Sequence, residues 1–340
     1  MPQRLKDSPQ IWKLVRDLGI KTTPDPIAAI LHHCEQRIKK FLADLPGSQT
    51  PSQLLDLVAA KLGTVFEVAR SDSELHDIRQ KYLSRGEKIF SRLNEDLADE
   101  VYGITFKLLN REPWELEYVS VIDCRGSKAA RAYYTKWHEI AHLLTQTDQM
   151  RLSFRRTHCE SDKRDPEEAL MEVIAGNFGF YSPMVQSCTS GEISFKAIEN
   201  LRDQLCPEAS RQSSTIGMVK AWPKPCLLVQ ANMALRRGDQ ALLRQEKFDF
   251  LKVPKPALRA IRVTANDAAR SDGLSIFGNM RVPERSVIYR VFSGDAPDYS
   301  EADEDLSWWE TSNGTQLPQR KVRVKTRSSW DSVEALIIPL

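Results

Sequence analysis

Apolar residues recur at helical spacing through the first 48 residues, at Ile11, Leu14, Val15 and Leu18 and again from Ile27 to Leu42, until Pro46-Gly47 interrupts the pattern. Thr50-Pro51-Ser52 then opens a helix over Leu54 to Leu62 that Gly63 closes. A short strand follows at Val65 to Val68, and residues 71 to 100 read as charged, solvated helix. The period then changes to two: Tyr102 to Leu109 and Leu116 to Ile122 alternate as strands around a polar turn at Asn110 to Pro113, which predicts a hairpin. Arg125-Gly126 ends it, and Ser127 is placed to cap the next helix.

Beyond residue 190 the pattern divides again. Phe195 to Leu205 and Ser213 to Ala221 are expected as helices, broken by Trp222-Pro223-Lys224-Pro225. They resemble a DNA-reading helix-turn-helix only in spacing, since the second carries little positive charge to meet phosphates. From Ala257 strands are expected at Ile261 to Val263, Ser275 to Phe277, Ser286 to Phe292, Leu306 to Thr311, Lys321 to Arg327 and Val333 to Ile338, with Asn313-Gly314 as a hairpin turn. The expected organisation is α+β: N-terminal helices over 1–48, a helix-rich unit with a short sheet over 49–190, a helical connector over 191–255 and a β-rich C-terminal domain over 256–340.

Composition narrows this little. A net charge of +2 in 340 residues excludes a global field for nucleic acid, so any such surface must be local. The six cysteines form no C-x-x-C pair, and the first residues lack the apolar run of a signal peptide, which predicts free thiols in a cytoplasmic protein with no membrane partner.

The chemistry concentrates between Tyr134 and Phe178. In Tyr-Thr-Lys-Trp-His-Glu-Ile-Ala-His, a helix sets His138 and His142 one turn apart on one face with Glu139 beside them, which is how two imidazoles are offered to one zinc ion. Downstream, Asp165-Pro166-Glu167-Glu168 is a helix start with Asp165 as cap, so Glu167 and Glu168 read as first-turn charges and Glu172, a turn deeper, as the third ligand. Gly176 and Gly179 beside Glu172 each cost about 1 kcal/mol against alanine in a helix, which suggests a close approach by the histidine helix. Two histidines, one carboxylate and an open position describe a catalytic Zn2+ site, one per chain, with Glu139 as general base for peptide hydrolysis. Tyr133 and Tyr134 are the candidates to steady the oxyanion.

Tyr134-Thr135-x-x-His138-Glu139-x-x-His142, followed by Glu172-x-x-Ala175-x-x-Phe178 and Met184, resembles the signature of the ImmA/IrrE family of zinc metallo-endopeptidases. Leu54 to Gly63 and Tyr102-Gly103 are similar to that family's lead-in, so the resemblance spans roughly residues 50 to 190. It departs at Gly176, where the family often has asparagine, and at Val185, where a proline usually follows the methionine. The resemblance implies a bacterial regulatory protease that cleaves a helix-turn-helix repressor under stress or phage attack, with ligands His138, His142 and Glu172. It further implies a sensor domain behind the protease, for which a GAF-like fold is one form. The rival expectation is a non-catalytic DNA- or protein-binding regulator with a structural metal.

Two further features carry expectations. His158 and Cys159 lie in the polar insert 147–164, and a Cys159 thiolate on the open zinc position would hold the enzyme off. Lys321, Arg323, Lys325 and Arg327 alternate with Val322, Val324 and Thr326, and Trp308 and Trp309 precede them. That pattern fits a groove for single-stranded DNA as activator, or else a solvated strand face with Trp in the core, balanced by the acidic loop Asp295 to Asp305.

Overall fold

The computed structural model describes residues 5–21, 23–43, 50–146, 153–157, 165–244, 255–311, 313–329 and 331–340, the side chains of 153–157 and 241–244 excepted. The chain divides into two compact units, Met1–Met184 with Arg202–Ser213, and Val185–Leu201 with Ser214–Leu340. Both combine helices with a sheet, so the class is α+β. Among the described residues no helix is long and apolar enough to cross a membrane.

The first unit opens with helices α1 (Pro9–Asp17), α2 (Pro26–Ala43) and α3 (Pro51–Lys61). Thr50 and Gln53 form a reciprocal capping box at the start of α3. Past its end Gly63 takes φ +68°, a left-handed conformation that glycine adopts without steric cost. The sheet comprises β1 (Thr64–Ala69), β2 (Val101–Lys107), β3 (Tyr118–Asp123) and β4 (Ser153–Thr157) in the order β1-β3-β2-β4. β1 runs parallel to β3, while β2 is antiparallel to both β3 and β4. The predicted hairpin is β2-β3. β4 falls in the insert expected as polar loop, where backbone pairing to β2 outweighs a sequence with no strand signal.

Pleating gives this sheet two different faces. Ile104 and Phe106 of β2, with Val119 and Val121 of β3, pack against Leu75, Ile78 and Tyr82 of α4 (Asp72–Ser84) and against Phe90 and Leu93. Tyr82 stacks on Phe90, which in turn meets Phe106, with centroids 4.4 and 4.5 Å apart. Residues 71–100 are thus a buried layer as well as a solvated one. The alternate positions Gly103, Thr105 and Ser120 turn to the other face, toward α5 (Ala132–Leu144). A 3₁₀ turn over Gly126–Arg131 leads into α5, so Ser127 does not cap it. α6 (Pro166–Phe178) packs on α5.

Helices over Phe195–Leu205 (α7) and Arg211–Ala221 (α8), each with one end in the stretch 202–213 that belongs to the first unit, precede β5 (Leu227–Ala234) and β6 (Ala257–Ala265) of the second. After a helix α9 (Val287–Ser293) come β7 (Tyr299–Asp305), β8 (Lys321–Ser329) and β9 (Ser332–Pro339). All pairings in the sheet, ordered β6-β5-β9-β8-β7, are antiparallel. β5 lies inside it, so the segment 191–255, expected as a connector, supplies an inner strand.

Three expected strands are not strands. Ser286 to Phe292 is rich in β-branched and aromatic residues, yet Ser286 caps the Ile288 amide, Val287, Ile288 and Val291 are buried at helical spacing, and Gly294 at φ +83° ends the turn. Tertiary burial overrides propensity there. Leu306–Trp308 is a 3₁₀ turn, and Ser275 to Phe277 forms no named strand. The acidic stretch expected as a loop holds strand β7 instead.

Candidate metal centre

Several contacts fix α5. At its entrance the buried Asp123, the last residue of β3, accepts hydrogen bonds from the Arg125 guanidinium and from Lys128 Nζ at 2.7 Å. Burial would raise that carboxyl, but the two cations more than offset it and hold it below the usual carboxylate range. At the far end Arg37 of α2 donates to the Leu144 carbonyl at 2.6 Å, satisfying one of the acceptors a helix terminus leaves open. Along its length, Tyr133 Oη donates to the Gly179 carbonyl and Tyr134 Oη to the Glu172 carbonyl, each at 2.6 Å. Both candidate oxyanion residues therefore tie α5 to α6 through backbone oxygens.

The close approach inferred from the glycines is real at one of them. A Cβ on Gly179 would stand 3.3 Å from the Trp137 ring, whereas one on Gly176 would meet only ordinary contact with Tyr134. Trp137, Ile140, Ala141 and Leu144 are buried, which leaves α5 no choice of rotation.

That rotation presents His138 and His142, both buried, to the first turn of α6. Glu168 Oε2 lies 3.1 Å from His138 Nε2, and Glu168 Oε1 lies 3.3 Å from His142 Nε2. Among the described residues, His138, His142 and Glu168 form a group of metal-ligand types whose donor atoms all lie within 4.8 Å of one another. Tetrahedral zinc with ligands at 2.0–2.1 Å would separate its donors by about 3.3 Å, a spacing these three side chains can reach with small adjustments. Neutral imidazoles and a carboxylate are also the donor chemistry zinc takes.

The carboxylate that the structure brings to the two histidines is that of Glu168, where the sequence led to the expectation of Glu172. Asp165 does cap the helix, accepting from the Glu167 amide at 2.9 Å, but this does not send Glu168 into solvent. The buried face of α6 is Leu170, Met171, Ile174, Ala175 and Phe178. Four residues advance a helix by 400°, so Glu168 lies about 40° nearer the centre of that face than Glu172. The angular position was present in the sequence and separates the two glutamates, whereas capping logic did not. The helix N-terminus adds a favourable field for the Glu168 charge.

Electrostatics follow this geometry. Burial would lower the His142 imidazole, but the Glu168 carboxylate facing it, with Glu139 and Glu167 beyond, leaves its pKa above the ordinary histidine value. Burial would raise Glu168, yet the contacts from His138 and His142 pull it well below the usual carboxylate range. Glu139, fully buried, accepts a hydrogen bond from Thr105 Oγ1 at 2.7 Å. His158 and Cys159 lie outside the described residues. The five described cysteines, Cys34, Cys124, Cys188, Cys206 and Cys226, are free.

The basic strand of the second unit is engaged rather than open. On β8, Arg323 Nε meets Asp303 at 2.9 Å and Glu301 at 3.3 Å on β7, and Lys325 reaches Glu192 at 3.0 Å. Arg327 contacts Glu334 at 2.7 Å, Glu199 and Thr215 at 3.0 Å each, and lies over the Phe195 ring. Of the four cations only Lys321 stays mostly in solvent, 4.0 Å from Asp305. Trp308 stacks under Arg285 and Trp309 is buried in the core, so the expected groove of free cations beside stacking aromatics is not formed. The balancing acidic residues do lie in 295–305, as a paired strand.

No family model matches the chain, and no curated protein matches it in sequence.

Proposed function

We propose that the chain is a zinc-dependent endopeptidase that cleaves a helix-turn-helix transcriptional repressor. The observation that carries the reading is the convergence of His138, His142 and Glu168, their donor atoms all within 4.8 Å of one another, with Glu139 next to the first histidine on a helix that four sets of contacts lock in place. Zinc held by these residues would polarise a scissile carbonyl and acidify a water. Glu139 would take the water's proton and deliver it to the leaving amine. Glu168 would neutralise part of the ion's charge while α6 keeps its carboxylate aimed at both imidazoles. The substrate class and a stress-responsive role rest on the resemblance of residues 50 to 190 to ImmA/IrrE endopeptidases.

The second unit suits a sensor, as an antiparallel sheet with its own core. Its ion pairs give no support to single-stranded DNA as the signal. Substitution Glu139→Gln is expected to keep zinc at one per chain and abolish cleavage of a co-expressed repressor. Protein that purifies without zinc and cannot be loaded would overturn the reading, and would equally remove the rival of a structural metal.

A further inference from the structure

Three buried hydroxyls line the sheet face beneath α5. Thr64 Oγ1 lies 3.2 Å from Ser120 Oγ, Ser120 Oγ 2.7 Å from Thr105 Oγ1, and Thr105 Oγ1 donates to Glu139 Oε2 at 2.7 Å. Thr105 and Ser120 are direct cross-strand partners on β2 and β3, and all four residues are buried. Valine or alanine would pack as well without the desolvation cost of a hydroxyl, so a row of three in a core points to a role outside packing.

The row has a direction. A carboxylate only accepts, so the Thr105 proton points at Glu139, leaving the Thr105 oxygen to accept from Ser120 and the Ser120 oxygen to accept from Thr64. Each donation polarises the next in a low-dielectric interior and strengthens the last one. Glycine at position 103 completes the seat. A Cβ there would stand 3.1 Å from Glu139 Oε1 and 2.7 Å from the Thr135 methyl, so β2 and α5 approach as closely as they do only because that atom is missing.

Resting on the reading of Glu139 as general base, we infer that Thr105, backed by Ser120 and Thr64, is the positioning residue that fixes the Glu139 carboxylate for proton transfer. Thr105 acts through Glu139, by removing rotational freedom from the base through one short hydrogen bond.

The test compares the zinc-loaded full chain with Thr105→Val, which keeps shape and loses the hydroxyl, and Thr105→Ser, which keeps the hydroxyl. Ser120→Ala serves as a milder second variant should Thr105→Val fold poorly. The substrate is a quenched-fluorescence peptide chosen by exposing a random peptide mixture to the wild type. Thr105→Val is expected to hold zinc at one per chain, lower kcat roughly 10- to 100-fold and leave KM near the wild-type value. Thr105→Ser should restore kcat, and crystal structures should show the Glu139 carboxylate turned from its seat in Thr105→Val alone. Unchanged kcat in Thr105→Val, or Thr105→Ser as slow as Thr105→Val, would overturn the inference. Should the zinc-loaded wild type cleave no peptide, the endopeptidase reading falls, and the position of Glu139 in the two crystal structures still decides the role of Thr105.

Discussion

Two charged clusters, one in each unit, look alike in the sequence and differ in what they leave available. Around Glu168, two buried imidazoles and one carboxylate converge with their donor atoms all within 4.8 Å of one another. Around Arg327, a guanidinium is met by two carboxylates, a hydroxyl and an aromatic face, so its donor fork is spent within the unit. The first cluster gathers groups whose lone pairs a metal cation could take in place of the proton that pairs them in the metal-free protein. The second matches donors to acceptors and gains nothing from a ligand. Complementarity inside a cluster, rather than its density of charge, separates a structural hub from a site.

The sharpest way to break this contrast is to remove the central charged group from each cluster. Glu168→Ala should strip zinc from the protein, losing more affinity than the roughly 10- to 100-fold that an outer-shell partner contributes, while Glu172→Ala retains it; metal content after dialysis distinguishes them. Arg327→Ala leaves Glu334 buried without its main cation, and should lower the stability of the second unit by about 3 kcal/mol, read by denaturant unfolding.

A smaller effect comes from pH. Because the metal-free His142 has a raised pKa, a proton competes for it already above the ordinary histidine range. Zinc affinity measured by a chelator titration should therefore fall by about tenfold per pH unit, roughly 1.4 kcal/mol, once pH drops through that raised value. In the metal-free protein the same His142 contributes stability below its unfolded pKa and loses it as pH rises through the folded one. Least affected is the exposed pair on β7 and β8: Arg323→Ala should change the unfolding midpoint at the edge of detection, and a single-stranded oligonucleotide should show no binding in anisotropy that Arg323→Glu with Lys325→Glu removes.

Much of the first unit was legible because local and tertiary signals agree there. The cap before α3, Gly63 behind it, the β2-β3 alternation and the histidine pair on an amphipathic α5 all point one way. Glu168 was misread because a first-turn glutamate after a capping Asp has a sufficient local explanation, and only its angle to Leu170, Met171 and Phe178 tells that it faces inward. Thr105 and Ser120 could not be found from pattern, since small polar residues on a strand normally mark its wet face. In the second unit the partners that neutralise β8 come from residues 192, 199, 301, 303 and 334, separations over which periodicity carries no information. Ser286 to Phe292 was read as a strand from composition, although Ser286 and Gly294 bracket it as caps do.

The central claim is tested most directly by anomalous diffraction at the zinc edge from crystals of the zinc-loaded full chain. One strong peak within bonding distance of His138 Nε2, His142 Nε2 and the Glu168 carboxylate is the predicted result. A peak ligated by Glu172 instead, or none near the two histidines, would contradict the account.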